Sequence, residues 1–444
     1  MSAAAPDNKF RPITALRVEL AWKGKALAVG RLAWRDRVAY FEYDSTFLAT
    51  KLELSPFRLR LEPGLFEGPE RVFDRLHGLF NDSLPDGWGR LLMDRKLRQE
   101  GILPGALNPL DRLAWVGKRG MGALTYYPEH PAMAGAEGAI DLDLLADESQ
   151  MVLEDNPKAL LDRLIKVGGS PHGARPKALV GYAVDGSSLL HGVDDLPEKY
   201  EHWIVKFRAP GDAVDAGAVE RAYAEMAIEA GVDMPDTTLF PAKSGPGYFG
   251  IKRFDRIGNQ RLHMHTVSGL LQVDHTLPTI GYVDMIKADR LLTRRQADVD
   301  QAFTRMVFNV LAHNRDDHTK NHSFLMADDG QWSLSPAYDV TFSSGPGGEH
   351  ALDVSGEGRS PGISHILAVA KNVGVSERTA AETIERVRAA VDRWPRFAAS
   401  REVSRKVVLT IDRQLNGVRP RPSRPKPSPP VPETPPTTAR ARKR

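Results

Sequence analysis

The stretch 313–325, HNRDDHTKNHSFL, decides how the chain is read. Its first ten residues hold two adjacent carboxylates, three imidazoles and two amides, and the run then turns apolar. Upstream, QAFTRMVFNVLAH (301–313) sets Phe303, Met306, Val307, Val310 and Leu311 on one face, the spacing of an amphipathic helix. Downstream, SFLMADDGQWSLS (323–335) reads as a β-hairpin with Asp329-Gly330 as a two-residue turn. Counting outward from that turn sets Leu325 against Leu334 and Asn321 against Tyr338. Asn321 and Asp339 then meet at the open end, with Asp316 on the loop just before. Two acids and an amide offer oxygen ligands to a hard cation such as Mg²⁺.

Phosphoryl transfer needs such a layout: one acid for the hydroxyl proton, and an Asn five residues on with a later Asp to hold metal on a triphosphate. Arg315-Asp316-x4-Asn321 has the R-D-x4-N spacing of a protein-kinase catalytic loop, with His313 two residues ahead of the arginine. Two readings compete. One is a polar loop in which Asp316 and Asn321 bond backbone amides. The other is a metal hydrolase on His313, His318 and His322, whose spacings lack the helical His-x3-His pattern with its Glu base.

The segment VGGSPHGARPKALVGYAVDG (167–186) could supply the phosphate site. Gly168, Gly169 and Gly173 free the backbone of 167–177 to aim N–H groups into a concavity, and Arg175 and Lys177 add charge. The order of residues is not that of a Walker loop. KALVGYAV and EHWIVKFRAP (201–210) read as strands. Lys206 within the second is either a phosphate contact in a cleft or an edge-strand lysine with a snorkelling stem. GAVERAYAEMAIEAG (217–231) is an amphipathic helix stopped by Gly231, and its Glu220 either orients Lys206 or lies on the surface. YFGIKRFDR (248–256) is a strand leading into a loop whose backbone could meet an adenine edge.

Residues 12–63 alternate apolar and polar, as in a meander of strands with turns at Gly24 and Gly30. In FNDSLPDGWGRLLMDRKLRQEG, Pro85-Asp86-Gly87 is a turn and a helix follows, ending at Gly101. Residues 129–150 suit a linker and 151–166 a helix. VAKNVGVSERTAAETIERV (369–387) has a helix-turn-helix pattern. Its second helix sets Glu377, Glu382 and Glu385 against Arg378, Arg386 and Arg388, and a DNA-reading helix should be basic. A helical pair closing a larger lobe is the better expectation.

The 444 residues predict two or three domains, and 41% hydrophobic with 26% charged residues predicts a globular protein. With no cysteine there is no disulfide framework or thiolate site. The absence of a long apolar run or a signal-peptide pattern predicts a cytoplasmic protein with no membrane partner. From 418 onward the chain holds nine prolines, eight basic residues and one acidic residue, a composition of disordered segments.

Jointly, SPHGARPKAL, IVKF, ERAYAEMAIEAGVDMP, IKRFDR, RDDHTKNHSFL and SPAYDV, with FNDSLPDGWGRLLM and GMGALTYYPE before them, resemble the HipA family of bacterial serine/threonine kinase toxins over most of residues 12–415. The resemblance implies an α+β fold: a kinase-like two-lobed body with an additional N-terminal β-rich subdomain and a mostly helical C-terminal lobe. The expected division is 1–128 for that subdomain, 129–150 for a linker, 151–260 for the nucleotide-binding part, 261–417 for the helical lobe and 418–444 for the tail. ATP and Mg²⁺ are the implied cofactors. Asp316 would be the catalytic base, Asn321 and Asp339 the magnesium ligands, and His172, Gly173, Ala174, Arg175, Pro176 and Lys177 the phosphate loop. Lys206 would contact the nucleotide, Lys252, Arg253 and Phe254 would form the hinge, and His318 and Tyr338 would line the site. Ser170 falls at the family's autophosphorylation position. Implied partners are a protein substrate, with aminoacyl-tRNA synthetases among known family targets, and a small helix-turn-helix, HipB-like antitoxin through which DNA is met indirectly. A small-molecule kinase on the same fold and a non-catalytic nucleotide-binding regulator are the alternatives.

Overall fold

The structure, a computed structural model, describes residues 10–130, 140–156, 161–168, 173–191 and 195–418. Ser170, His172 and the tail 419–444 lie outside the described residues. The first layer is a five-stranded antiparallel sheet in the order Leu65–Glu67, Val38–Tyr43, Lys25–Arg35, Ala15–Trp22, Leu124–Tyr127. Its first hairpin turns at Lys23-Gly24, both with positive φ, as two-residue turns of this hand require. Gly30 is not a turn. It lies inside the strand Lys25–Arg35 beside a register shift at Val18/Glu19, where a Cβ would run into Phe41 and the Glu42 carbonyl. The second turn falls instead at Asp36-Arg37, again with positive φ.

The second sheet is also antiparallel, in the order Leu189–His191, Lys177–Ala183, Tyr200–Lys206, Tyr248–Lys252, Thr237–Phe240. One face carries the helices Leu142–Leu153 and Leu161–Gly168, which bury Leu145, Val152, Leu164 and Ile165 against Val180, Trp203 and Val205. The stretch expected as a linker therefore ends in helix. Leu142, Leu145 and Val152 recur at helical spacing there, and Asp141 caps the start by accepting from the Leu144 amide at 3.1 Å. The helix Gly87–Gln99, with Trp88, Leu92, Met93 and Leu97 buried, joins this core although it follows the first sheet in sequence.

The C-terminal part centres on the helix Gln296–Leu311, packed by Tyr282–Thr293, Ile363–Val373 and Glu377–Val391. The helix-turn-helix pattern thus turns inward. Ile366, Val369, Val373, Ile384 and Val387 are buried, and Gly374 makes the turn at φ +72°. A three-stranded sheet, His263–Thr266, Ser323–Met326, Trp332–Leu334, flanks the helices. One apolar core runs without a break from the first sheet (Leu16, Val18, Phe41) to these helices (Tyr282, Phe303, Phe308). Among the described residues no helix is long and apolar enough to cross a membrane.

Polar cross-links reinforce the join. Buried Asp82 accepts from the Thr266 amide and hydroxyl, both at 2.7 Å, and bonds His265 Nδ1 at 2.6 Å. His265 Nε2 reaches Ser55 Oγ at 2.9 Å. Asp, His and Ser stand in relay order, but all three are buried, so the relay ties layers together and meets no substrate.

His77, His263 and His322 are at most 2% exposed. Burial chiefly lowers their pKa values, to about 4 for the first two and about 3 for His322. In the unfolded chain the same groups take up protons near pH 6.5. Stability is therefore full above about pH 6.5 and falls as pH drops toward 4, by on the order of 2 kcal/mol per histidine at pH 5. Melting temperatures at pH 7.5 and pH 5 should differ by several degrees, the lower pH being the less stable.

Candidate active site

The strand register makes the charged centre. Lys177 and Lys206 are direct partners across neighbouring strands, so both side chains leave the same face of the sheet. Lys206 lies on an interior strand, which removes the edge-strand reading. Such a pair repels unless acids intervene, and two do. Glu220, buried on the helix Ala216–Glu229, takes Lys206 Nζ at 2.5 Å, and Asp339 forms a close ion pair with the same ammonium. Glu220 is therefore a core partner of Lys206 and not a surface residue. Burial works against charge on both members, but the pairing prevails. Lys206 is held well above the ordinary lysine range, and Asp339 well below the usual carboxylate range by Lys206 and Lys177. Lys177 moves the other way, lowered first by burial, with Asp339 opposing and Lys206 adding to the effect.

Gly173 closes over this pair. A Cβ there would stand 2.5 Å from Lys177 Nζ and 3.9 Å from Asp339 Oδ2, and the residue's φ is +108°. Ala174 and Pro176 follow toward the strand, and the Pro176 carbonyl accepts from the Phe207 amide at 2.8 Å. Arg175 turns away to Asp212 at 3.1 Å.

The opposite wall comes from the stretch that opened the sequence reading. The helix stops at Leu311, and His313 reverses the chain with φ +56° and stacks on Phe342. The neighbouring acids then part company. Asp316 is 56% exposed, 3.9 Å from His318 Nε2. Its pKa is raised by partial desolvation and by Asp339 and Asp317, with His318 opposing. Asp317 is buried and accepts from Tyr282 Oη at 2.6 Å, His350 Nδ1 at 2.8 Å and the Ala351 amide at 2.8 Å. That network, extended through Asn309 and Asn314, fixes the loop carrying Asp316. Sequence reasoning gave Asp317 no role; burial decides between two adjacent acids that look alike in the sequence.

The hairpin differs from expectation by one residue. Leu325 pairs with Ser333, and Phe324 with Leu334. The loop has three residues, with Gly330 at φ +82° and the Ala327 amide bonded to the Gln331 carbonyl at 2.9 Å, so the two-residue turn was the wrong count. Asn321 sits in a 3₁₀ turn, Thr319–Asn321, and not in the ladder. The polar group still gathers. Asn321 Nδ2 donates to the Asp316 carbonyl at 2.7 Å, and Tyr338 Oη donates to the Lys320 carbonyl at 2.7 Å. Asp339 follows with φ +54°.

Between the walls lies an open cleft. Its apolar end holds Met121, Ile204, Ile251, Phe254, Met264 and Tyr338, and its charged end Lys177, Lys206 and Asp339. The Phe254 and Tyr338 rings lie 5.4 Å apart. Lys252 lines the rim and sends its ammonium outward to Glu201 at 2.7 Å. Arg253 is pinned on Asp255 at 2.7 Å, so its guanidinium is turned to its own segment. Met121 and Met264 were given no place at the site by sequence reasoning, although GMGALTYYPE was read for other reasons, since no local pattern marks a residue delivered from a distant segment. The three histidines do not converge. His313 stacks on Phe342, His318 lies against His275 and His322 is enclosed, so the hydrolase reading fails.

The donor set fits magnesium held on a phosphate. Asn321 spends its NH₂ on the Asp316 carbonyl, so its Oδ1 is the atom that could meet a cation, and Asp339 stays ionised. Among the described residues no three His, Cys, Asp or Glu side chains cluster to hold a metal alone. Mg²⁺ normally completes its shell with water and phosphate oxygens, so a partial set is what such a site presents.

A β-rich layer fused to a body whose cleft joins an apolar slot to buried charge defines the class of protein. Residues 22–127 match the HipA N-terminal domain and residues 169–394 the HipA-like C-terminal domain. The chain belongs to the HipA family. A Sinorhizobium fredii protein named "Putative kinase Y4dM" is 31% identical over 363 residues, 75% of this chain and 82% of that one. The fold also aligns with a structure titled as the HipA, HipB and operator DNA complex of Shewanella oneidensis MR-1. There the TM-score is 0.65 at 17% identity, covering 91% of this chain and 96% of that one.

Replacing Asp317 by Ala strands Tyr282 Oη, His350 and a backbone amide in the interior. The expected cost is about 3 kcal/mol, read as a lower urea midpoint.

Proposed function

We propose that the protein is an ATP-dependent serine/threonine protein kinase acting as the toxin of a toxin–antitoxin pair. The observation that carries this reading is the meeting of two cross-strand lysines, Lys177 buried and Lys206 partly so, with Asp339 at one end of an apolar slot, with Asp316, a half-exposed carboxylate of raised pKa, feeling the Asp339 charge. The family membership and the kinase named among its relatives support it.

In this reading adenine lies in the apolar slot against Phe254 and Tyr338, meeting the backbone of 252–254. Lys206 and Lys177 face the phosphates, with Gly173 to Lys177 as the described part of the phosphate loop. Asn321 and Asp339 would hold Mg²⁺, and its charge would offset that developing on the phosphate oxygens. Asp316 takes the proton as the substrate hydroxyl oxygen bonds to the γ-phosphorus. The bond from that phosphorus to the bridging oxygen breaks, and ADP leaves with the electron pair. His318 beside Asp316 favours its ionised form. The acceptors are a protein hydroxyl and, in autophosphorylation, Ser170. A small helix-turn-helix antitoxin is the proposed partner, and DNA is reached through it.

Incubation with Mg-ATP should place a phosphate on Ser170, seen by mass spectrometry. Asp316→Asn should slow transfer by ~10²–10⁴-fold, and Asn321→Ala with Asp339→Ala should remove the magnesium dependence of nucleotide binding. Transfer absent from the wild type, or undiminished in Asp316→Asn, would overturn the reading. Because Asp316 must be ionised and its pKa lies above the ordinary aspartate value, activity should fall on the acid side at a higher pH than an unperturbed Asp would give. An initial-rate profile from pH 4.5 to 8 checks this.

A further inference from the structure

The two walls of the cleft are tied together by a segment belonging to neither. Residues 82–88 run from the strand His263–Thr266 to the second sheet. At one end Asp82 is bonded to His265 and Thr266, on the strand paired with Ser323–Met326. At the other end the helix Gly87–Gln99 is buried against the core of the second sheet. Asp86 lies between. Its Oδ1 accepts from the Gly173 amide at 2.6 Å and its Oδ2 takes Lys320 Nζ at 3.2 Å. One carboxylate thus bridges the glycine that covers Lys177 and the turn that carries Asn321.

Four further observations separate this bridge from an ordinary surface pair. Asp86 occupies the N-cap position of its helix, where an Asp usually bonds the first-turn amides, yet its side chain makes no cap bond. Lys320 is 5% exposed and Asp86 23%, so the pair is largely withdrawn from water. The backbone also grips the loop: the Trp88 amide donates to the Gly173 carbonyl at 3.2 Å. Gly87, at φ +38°, has no room for a side chain, since a Cβ would stand 2.5 Å from Ala174 Cα. Gly173 is therefore held at both its N–H and its C=O.

We propose that residues 82–88 set the spacing of the cleft walls and that Asp86 is a positioning residue for phosphoryl transfer, acting through Gly173 and Lys320. This rests on the kinase reading above. In the full-length protein, Asp86→Ala removes both bonds, whereas Asp86→Asn can still accept from Gly173 but loses the charge on Lys320. In nucleotide-free protein, hydrogen exchange of the amides in 173–178 should be roughly tenfold faster in Asp86→Ala and intermediate in Asp86→Asn. With Mg-ATP, kcat should fall by about tenfold or more in Asp86→Ala while KM for ATP changes less, and Asp86→Asn should recover part of the loss. Unchanged exchange, or turnover equal to or above wild type in Asp86→Ala, would overturn the proposal. If Asp86→Ala does not fold, Asp86→Asn carries both measurements. If the wild type transfers no phosphate, the kinase reading fails. The exchange measurement needs no nucleotide and then decides the strap alone: lost protection upholds it, and unchanged protection overturns it.

Discussion

Two ammonium groups facing each other across neighbouring strands are the constraint on which the centre of the protein depends. At about 4 Å and an effective dielectric near 20, like charges repel by about 4 kcal/mol. Lys177 and Lys206 remain opposite because Glu220 and Asp339 share the charge. Those acids come from a helix and from a segment more than a hundred residues further along. Satisfying one electrostatic problem in the sheet therefore fixes where the helix and the later segment must lie. Since Asp339 is bound into this cluster and ionised, the wall that carries Asp316 is registered against the lysines.

The elements around the cleft were legible in the sequence because their periodicities are strong. The strands Lys177–Ala183, Tyr200–Lys206 and Tyr248–Lys252 and the helix Ala216–Glu229 fall where the apolar patterns put them. The meeting of Asp316 and Asn321 was legible too, since the Asn321 amide bonds the Asp316 carbonyl, but the hairpin was counted one residue out and Asn321 stands outside its ladder. An Asp-Gly pair is compatible with two-residue and three-residue loops alike, and only the φ of Gly330 and the paired backbone distinguish them.

What stayed hidden was tertiary. Gly30 resembles a turn glycine, yet it serves a close packing contact inside a strand. Glu220 resembles a surface residue near a helix start until the lysine beneath it is seen. Asp86 resembles a helix cap, but its side chain bonds elsewhere. In each case the local pattern was satisfied by an ordinary role, and the actual one depends on a residue far away in the chain.

The unbroken core between the first sheet and the C-terminal helices constrains how relatives of this protein can exchange parts. Val18 and Phe41 belong to the same apolar mass as Tyr282 and Phe308. A chimera taking residues 22–127 from one homologue and the remainder from another would unite half-cores shaped for different mates. Interiors packed as tightly as crystals register a change of a single methylene, so drift on one side of this seam must be answered on the other. The two matched regions are thereby bound to evolve as one piece.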